Sequence, residues 1–129
     1  MTPTPLTVKR GVVVLALAQV LSTAYLWQDS KTWEAGAQML WWMWTLLAIV
    51  NALYALLLFL VWRGRNWARW VVVVWCAVAW VLTLSTTTLV DATTTDRIVH
   101  FTAIAAELWA FTQIFSKASS PWFHAPAAS

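Results

Sequence analysis

The chain has 129 residues, 61% of them hydrophobic and only 10% charged, with a formal charge of +3 and one cysteine. Soluble chains are about a quarter charged, so this composition predicts a membrane protein. A lone cysteine excludes an intrachain disulfide, a CxxC redox motif and a cysteine metal cluster. The basic residues flank apolar runs and do not cover a polar face, which argues against nucleic acid as a partner.

Residues 1–10 read as a short arm, with Pro3 and Pro5 delaying helix onset. Lys9 and Arg10 precede the first apolar run, about residues 11–27. A basic start followed by an apolar middle resembles a signal peptide, with Ser22-Thr23-Ala24 as the small residues. The run nevertheless continues through Tyr25-Leu26-Trp27, an interfacial ending that predicts a retained helix. A polar connection with Asp29, Lys31 and Glu34 leads to a second helix, about 38–62, whose start is crowded by Trp41, Trp42 and Trp44.

The basic hinge comes next: Trp62-Arg63-Gly64-Arg65-Asn66-Trp67-Ala68-Arg69-Trp70. At a bilayer face, arginine heads stay in headgroup water and Trp sits at the interface. Arg63, Arg65, Arg69, Trp62, Trp67 and Trp70 are therefore candidate contacts for anionic lipid or a partner. Asn66 is the predicted cap of a third helix, about 67–90, which turns polar from Thr83 to Thr88. After a loop at 91–96, Thr95 or Asp96 is the predicted cap of a fourth helix, about 97–117. The tail 118–129, with Pro121 and Pro126, reads as loose, with Trp122 and Phe123 resting on the membrane surface.

The runs are continuously apolar and do not alternate, which selects helices over barrel strands. About 20 residues cross a hydrocarbon core, and short loops make sequence neighbours antiparallel. The predicted fold is all-α: one domain, residues 1–129, forming an integral membrane four-helix up-down-up-down bundle. With the N-terminus inside, Lys9, Arg10, Arg63, Arg65, Arg69 and Lys117 lie on one side, and only Lys31 and Arg97 on the other. Six positive residues against two places both termini in the cytoplasm.

Glu107 is the charged residue buried in an apolar run, and an intramembrane carboxylate is by default a functional hypothesis. His100 lies seven residues earlier on the same helical face, and Ala103 and Ala110 on that stripe would admit a neighbouring helix closely. Gln19 and Asn51 fall near the middle of their own helices. Together Glu107, His100, Gln19 and Asn51 form a candidate interior polar network. One reading is a proton or cation site, with His100 relaying to Glu107. The other is structural, with Glu107 hydrogen-bonded to Gln19 or Asn51. His100 alone does not make a two-ligand haem site, since His124 is in the tail, and zinc wants three or four ligands. No metal or cofactor is predicted.

The hinge Arg-Gly-Arg-Asn-Trp-Ala-Arg, between an apolar helix and a Val-rich one, resembles small four-helix bacterial inner-membrane proteins. The resemblance is carried by residues 62–75 and elsewhere by hydropathy alone. It implies a bacterial inner membrane and brings no catalytic residues. The sequence thus predicts a small multi-pass, non-enzymatic membrane protein that acts through helix or lipid contacts, as an oligomer or an accessory subunit of a larger complex. The alternatives are a small proton- or cation-coupled transporter or channel using Glu107, and a quinone- or haem-associated redox subunit.

Overall fold

A computed structural model describes residues 3–30, 37–85 and 93–124. Among the described residues the chain is helical throughout: α1 Leu6–Ser30, α2 Ala37–Trp62, α3 Asn66–Ser85, α4 Thr94–Ile114 and the short α5 Ser120–His124. The connection around Glu34, residues 86–92 with Thr86, Thr87, Thr88 and Asp91, and the tail beyond His124 lie outside the described residues, as do the side chains of Trp27 and Thr83.

α1 begins at Leu6, five residues before the expected onset at 11. Pro5 supplies the reason: its carbonyl accepts from Lys9 N–H at 3.0 Å, and a proline at the helix edge lacks only a donor that would be idle there. Apolarity marks where a hydrocarbon core would start, which is not where the backbone first coils. α4 begins at Thr94 and is capped by Thr93, not by Thr95 or Asp96. Thr93 Oγ1 accepts from Asp96 N–H at 3.2 Å while the Asp96 carboxylate accepts from Thr93 N–H at 2.8 Å, a reciprocal capping box. α4 ends at Ile114, short of Lys117, because the Ser116 and Ser119 hydroxyls both donate to the Gln113 carbonyl and draw the chain off the helix.

The turn between α2 and α3 is a Schellman motif. Gly64 N–H donates to Val61 O and Arg65 N–H to Leu60 O, both at 3.0 Å, and Gly64 takes the left-handed φ of 82° that this turn needs. Asn66 does not cap α3 with its side chain, as its Oδ1 is buried without a hydrogen-bond partner. The tail is not loose as far as His124. Ser119 is fully buried and Phe123 nearly so, because α5 folds back onto the hinge.

The four long helices pack in a closed ring. α1 lies most closely against α4, α2 touches both α1 and α3, and α3 meets α4 more sparingly. Residue pairs show each neighbour to be antiparallel. On α1 and α4, Gly11 meets Ala110 and Ile114 while Tyr25 meets His100. On α1 and α2, Lys9 meets Trp62 while Gln19 meets Asn51. On α3 and α4, Trp70 meets Phe115 while Trp80 meets Glu107.

The inward stripes repeat at three and four residues, as helical packing requires. They are Val8, Gly11, Val12, Leu15 and Ala18 on α1, and Tyr54, Leu58 and Val61 on α2. α3 contributes Ala68, Val72 and Cys76, and α4 contributes Ala103, Ala110 and Ile114. Gly11 sets the close α1–α4 approach: a β-carbon there would stand 2.6 Å from Ile114 Cγ1 and 2.9 Å from the Ala110 carbonyl oxygen. Leu6–Tyr25 and Trp41–Trp62 are long and apolar enough to cross a membrane, and Asn66–Leu82 is a shorter apolar helix.

Candidate functional site

The four interior polar residues named from the sequence fall into separate places. Gln19 Nε2 and Thr23 Oγ1 both donate to Asn51 Oδ1 at 3.0 Å, and Asn51 Nδ2 donates to its own helix at Leu47 O, 2.8 Å away. This cluster joins α1 to α2. Glu107 is not part of it. Its carboxylate accepts from Trp80 Nε1 at 2.5 Å, joining α4 to α3. Helix geometry explains the separation. At 100° per residue, Glu107 stands about 40–60° around α4 from the line of Ala103 and Ala110. The alanines face α1, so the carboxylate turns toward α3. Neither Gln19 nor Asn51 is its partner.

One turn before Trp80 on the same face of α3, Cys76 Sγ lies 3.7 Å from the Tyr54 hydroxyl. Tyr54, Cys76, Trp80 and Glu107 thus form a polar cluster drawn from three helices. His100 stands apart, edge-on to Tyr25 with ring centroids 5.9 Å apart. His124 is at the opposite end, in α5, where Nδ1 lies 2.8 Å from the Ser120 carbonyl. The two histidines therefore do not face a shared axial position. No group of three or more His, Cys, Asp or Glu side chains gathers among the described residues.

The hinge end is more unusual. Arg63 and Arg65 are exposed, and so are Trp67 and Trp70, as a headgroup-facing turn predicts. Trp62 is half-buried beneath Lys9, whose Nζ lies 6.0 Å from its ring. Arg69 departs from the expectation that all three arginines stay in water: it is only 7% exposed. It occupies the α3 face that continues into Val72 and Cys76, so helical periodicity turns it inward. Its guanidinium carbon lies 4.6 Å from the ring centroids of both Phe115 and Phe123. Each such contact is worth about 0.5–2 kcal/mol, whereas an uncompensated buried charge costs about 3–5 kcal/mol. The two rings together contribute about 1–4 kcal/mol, which offsets part of that cost.

The described residues offer no counter-charge. Asp96 caps the far end of α4 and Glu107 is engaged at mid-helix. Arg69 Nε, Asn66 Oδ1 and Trp122 Nε1 are all buried without hydrogen-bond partners. Sequence reasoning missed Phe115, Trp122 and Phe123 as parts of this site, and the hydroxyl latch of Thr7 and Ser119, 2.6 Å apart. The available signal was the density of aromatic and serine residues after Gln113, which is unusual for a loose tail.

Comparisons with protein-family models, with curated proteins and with solved structures found no match.

Proposed function

We propose that this chain is a multi-pass integral membrane protein, an antiparallel four-helix bundle of a bacterial inner membrane with both termini in the cytoplasm. It acts through helix and lipid contacts as an oligomeric or accessory component and not as an enzyme.

One observation carries this reading: large apolar side chains face outward on every long helix. Leu17 and Val20 on α1, Ile49 and Leu56 on α2, Val74 and Val81 on α3, and Ile98 and Phe101 on α4 are all at least 52% exposed. A soluble monomer exposes contiguous apolar patches of only a few hundred Å². A core helix of a soluble protein is mostly buried, but only 17% of the Trp41–Trp62 window is. Hydrocarbon is the solvent that such a surface suits. The basic cluster at the hinge end supports the inward orientation.

Alkaline carbonate extraction of membranes tests the reading. Retention in the pellet is expected, and release into the supernatant would overturn it. Orientation is tested in a Cys76→Ser background carrying Arg65→Cys. An impermeant thiol reagent should reach position 65 in inverted vesicles and not in intact cells.

A second reading, proton or cation movement through Glu107, is favoured by a half-buried carboxylate that has Trp80, and no cation among the described residues, as its direct partner. Flux in proteoliposomes that disappears in Glu107→Gln, with the fold retained, would establish it.

A further inference from the structure

We propose that the hinge end of the bundle binds a phosphate group, with Arg69 as its principal ligand and Trp122 and Asn66 as accessory ones. Arg69 is 7% exposed, and Nε, at the inner edge of its guanidinium, has no hydrogen-bond partner. Phe115 and Phe123 pack against it at 4.6 Å. These rings flank the guanidinium, and its Nε has no acceptor among the described residues. Buried charges in proteins are paired, and among the described residues no carboxylate pairs with this one.

The remaining parts of the site converge by connectivity. Phe123 touches Arg69, and the preceding residue, Trp122, packs on Gly64. A β-carbon on Gly64 would lie 3.0 Å from Trp122 Nε1, which is itself a buried, unpartnered donor. Asn66 follows Gly64 by two residues and precedes Arg69 by one helical turn, so it shares that face of α3. Its Oδ1 is also buried and unpartnered, and a half-turn about its last torsion would place Nδ2 there as a third donor. All three groups stand at the N-terminus of a 20-residue helix, the end whose dipole favours an anion. Lys9, Arg10, Arg63, Arg65 and Lys117 belong to the same end and raise its positive potential.

A planar guanidinium with further N–H donors arriving from other directions suits a tetrahedral anion with several acceptor oxygens. Phosphate has that geometry. The group has two possible sources, a phospholipid headgroup or free phosphate. The lipid source rests on the membrane reading above, since the site then lies at headgroup depth.

The full-length protein, purified in a non-ionic maltoside detergent without phosphate, provides the test. Its thermal-unfolding midpoint is followed while three probes are added separately: inorganic phosphate, dioctanoyl phosphatidylglycerol, and dioctanoyl glycerol, which has the same tails and no phosphate. Phosphatidylglycerol is expected to raise the midpoint saturably and dioctanoyl glycerol to leave it unchanged. Apparent affinity should fall at least tenfold in Arg69→Lys, which keeps the charge and loses the fork, and the shift should vanish in Arg69→Gln. If both variants fail to fold, Trp122→Phe removes one N–H and little volume, and should weaken binding several-fold.

Inorganic phosphate acting at the same or lower concentration than the lipid would support the site and assign it to free phosphate. The proposal is overturned if neither phosphate probe gives a saturable shift, if dioctanoyl glycerol shifts the midpoint equally, or if the folded variants respond as wild type. None of these failures touches the membrane reading, which carbonate extraction decides separately.

Discussion

Gly64 and Trp122 are in contact although 58 residues separate them: a β-carbon on Gly64 would lie 3.0 Å from the indole nitrogen and 3.1 Å from the Trp122 carbonyl oxygen. The turn that reverses the chain between α2 and α3 is thus also the seat for α5. One glycine serves two ends, by its left-handed φ of 82° and by the space its missing side chain leaves.

Gly64→Ala is therefore expected to destabilise the protein by about 1–3 kcal/mol, from left-handed backbone strain together with loss of the α5 seat. Gly64→Asn, which tolerates that φ better, should cost less through the backbone but displace Trp122 as much. Reversible unfolding in mixed micelles measures both. Equal stability of Gly64→Ala and wild type would show that the turn is not held in this conformation.

Gly11→Ala should loosen the α1–α4 contact by about 1–3 kcal/mol. The added carbon meets Ile114 Cγ1 at 2.6 Å and the Ala110 carbonyl at 2.9 Å. A side chain can rotate away, but a helix carbonyl moves only with its helix. Ile114→Ala removes the clashing Cγ1, which valine would keep, so Gly11→Ala should cost less in that background than in wild type, though the carbonyl clash remains.

Asn51→Leu removes the acceptor shared by Gln19 and Thr23. Thr23 can turn its hydroxyl back to its own helix, but Gln19 is left without its partner, at a cost of about 1 kcal/mol. The double variant Gln19→Leu with Asn51→Leu should recover much of this, because neither side then keeps an unmade hydrogen bond. Additive losses would mean that the two amides do not interact.

Glu107→Gln retains a carbonyl oxygen for the Trp80 indole and should stay within about 0.5 kcal/mol of wild type. Glu107→Leu strands that N–H and should cost about 1–2 kcal/mol. If Gln is as damaging as Leu, the negative charge itself matters to the bundle, and a structural hydrogen bond no longer accounts for the pair.

Cys76 is 3% exposed and lies against Tyr54, so a maleimide should label it slowly in the folded protein. A cysteine at the exposed position of Arg65 should label fast, and denaturation should bring the two rates together. Fast labelling of native Cys76 would mean that the interior opens readily.

Much of the helical layout was written in one dimension. Runs of apolar residues give α2 almost to the residue, and Gly64 between arginines marks the reversal. Gln19 and Asn51 stand out because an amide in a hydrocarbon-like run needs a partner. Ala103 and Ala110 mark a close approach that Gly11 completes from the other side.

Only the tertiary structure decided which polar group meets which. A sequence fixes the angular position of Glu107 on its own helix but not which neighbour lies at that angle, so Trp80 was not legible as its partner. The same holds at the hinge. Three arginines look alike in sequence, each beside a tryptophan or a turn. Arg69 becomes different because it faces inward on α3 and because α5, read as a loose tail, returns to set Phe123 against it. Periodicity is a local property of a chain, whereas the counter-charge of a buried arginine depends on everything that packs around it.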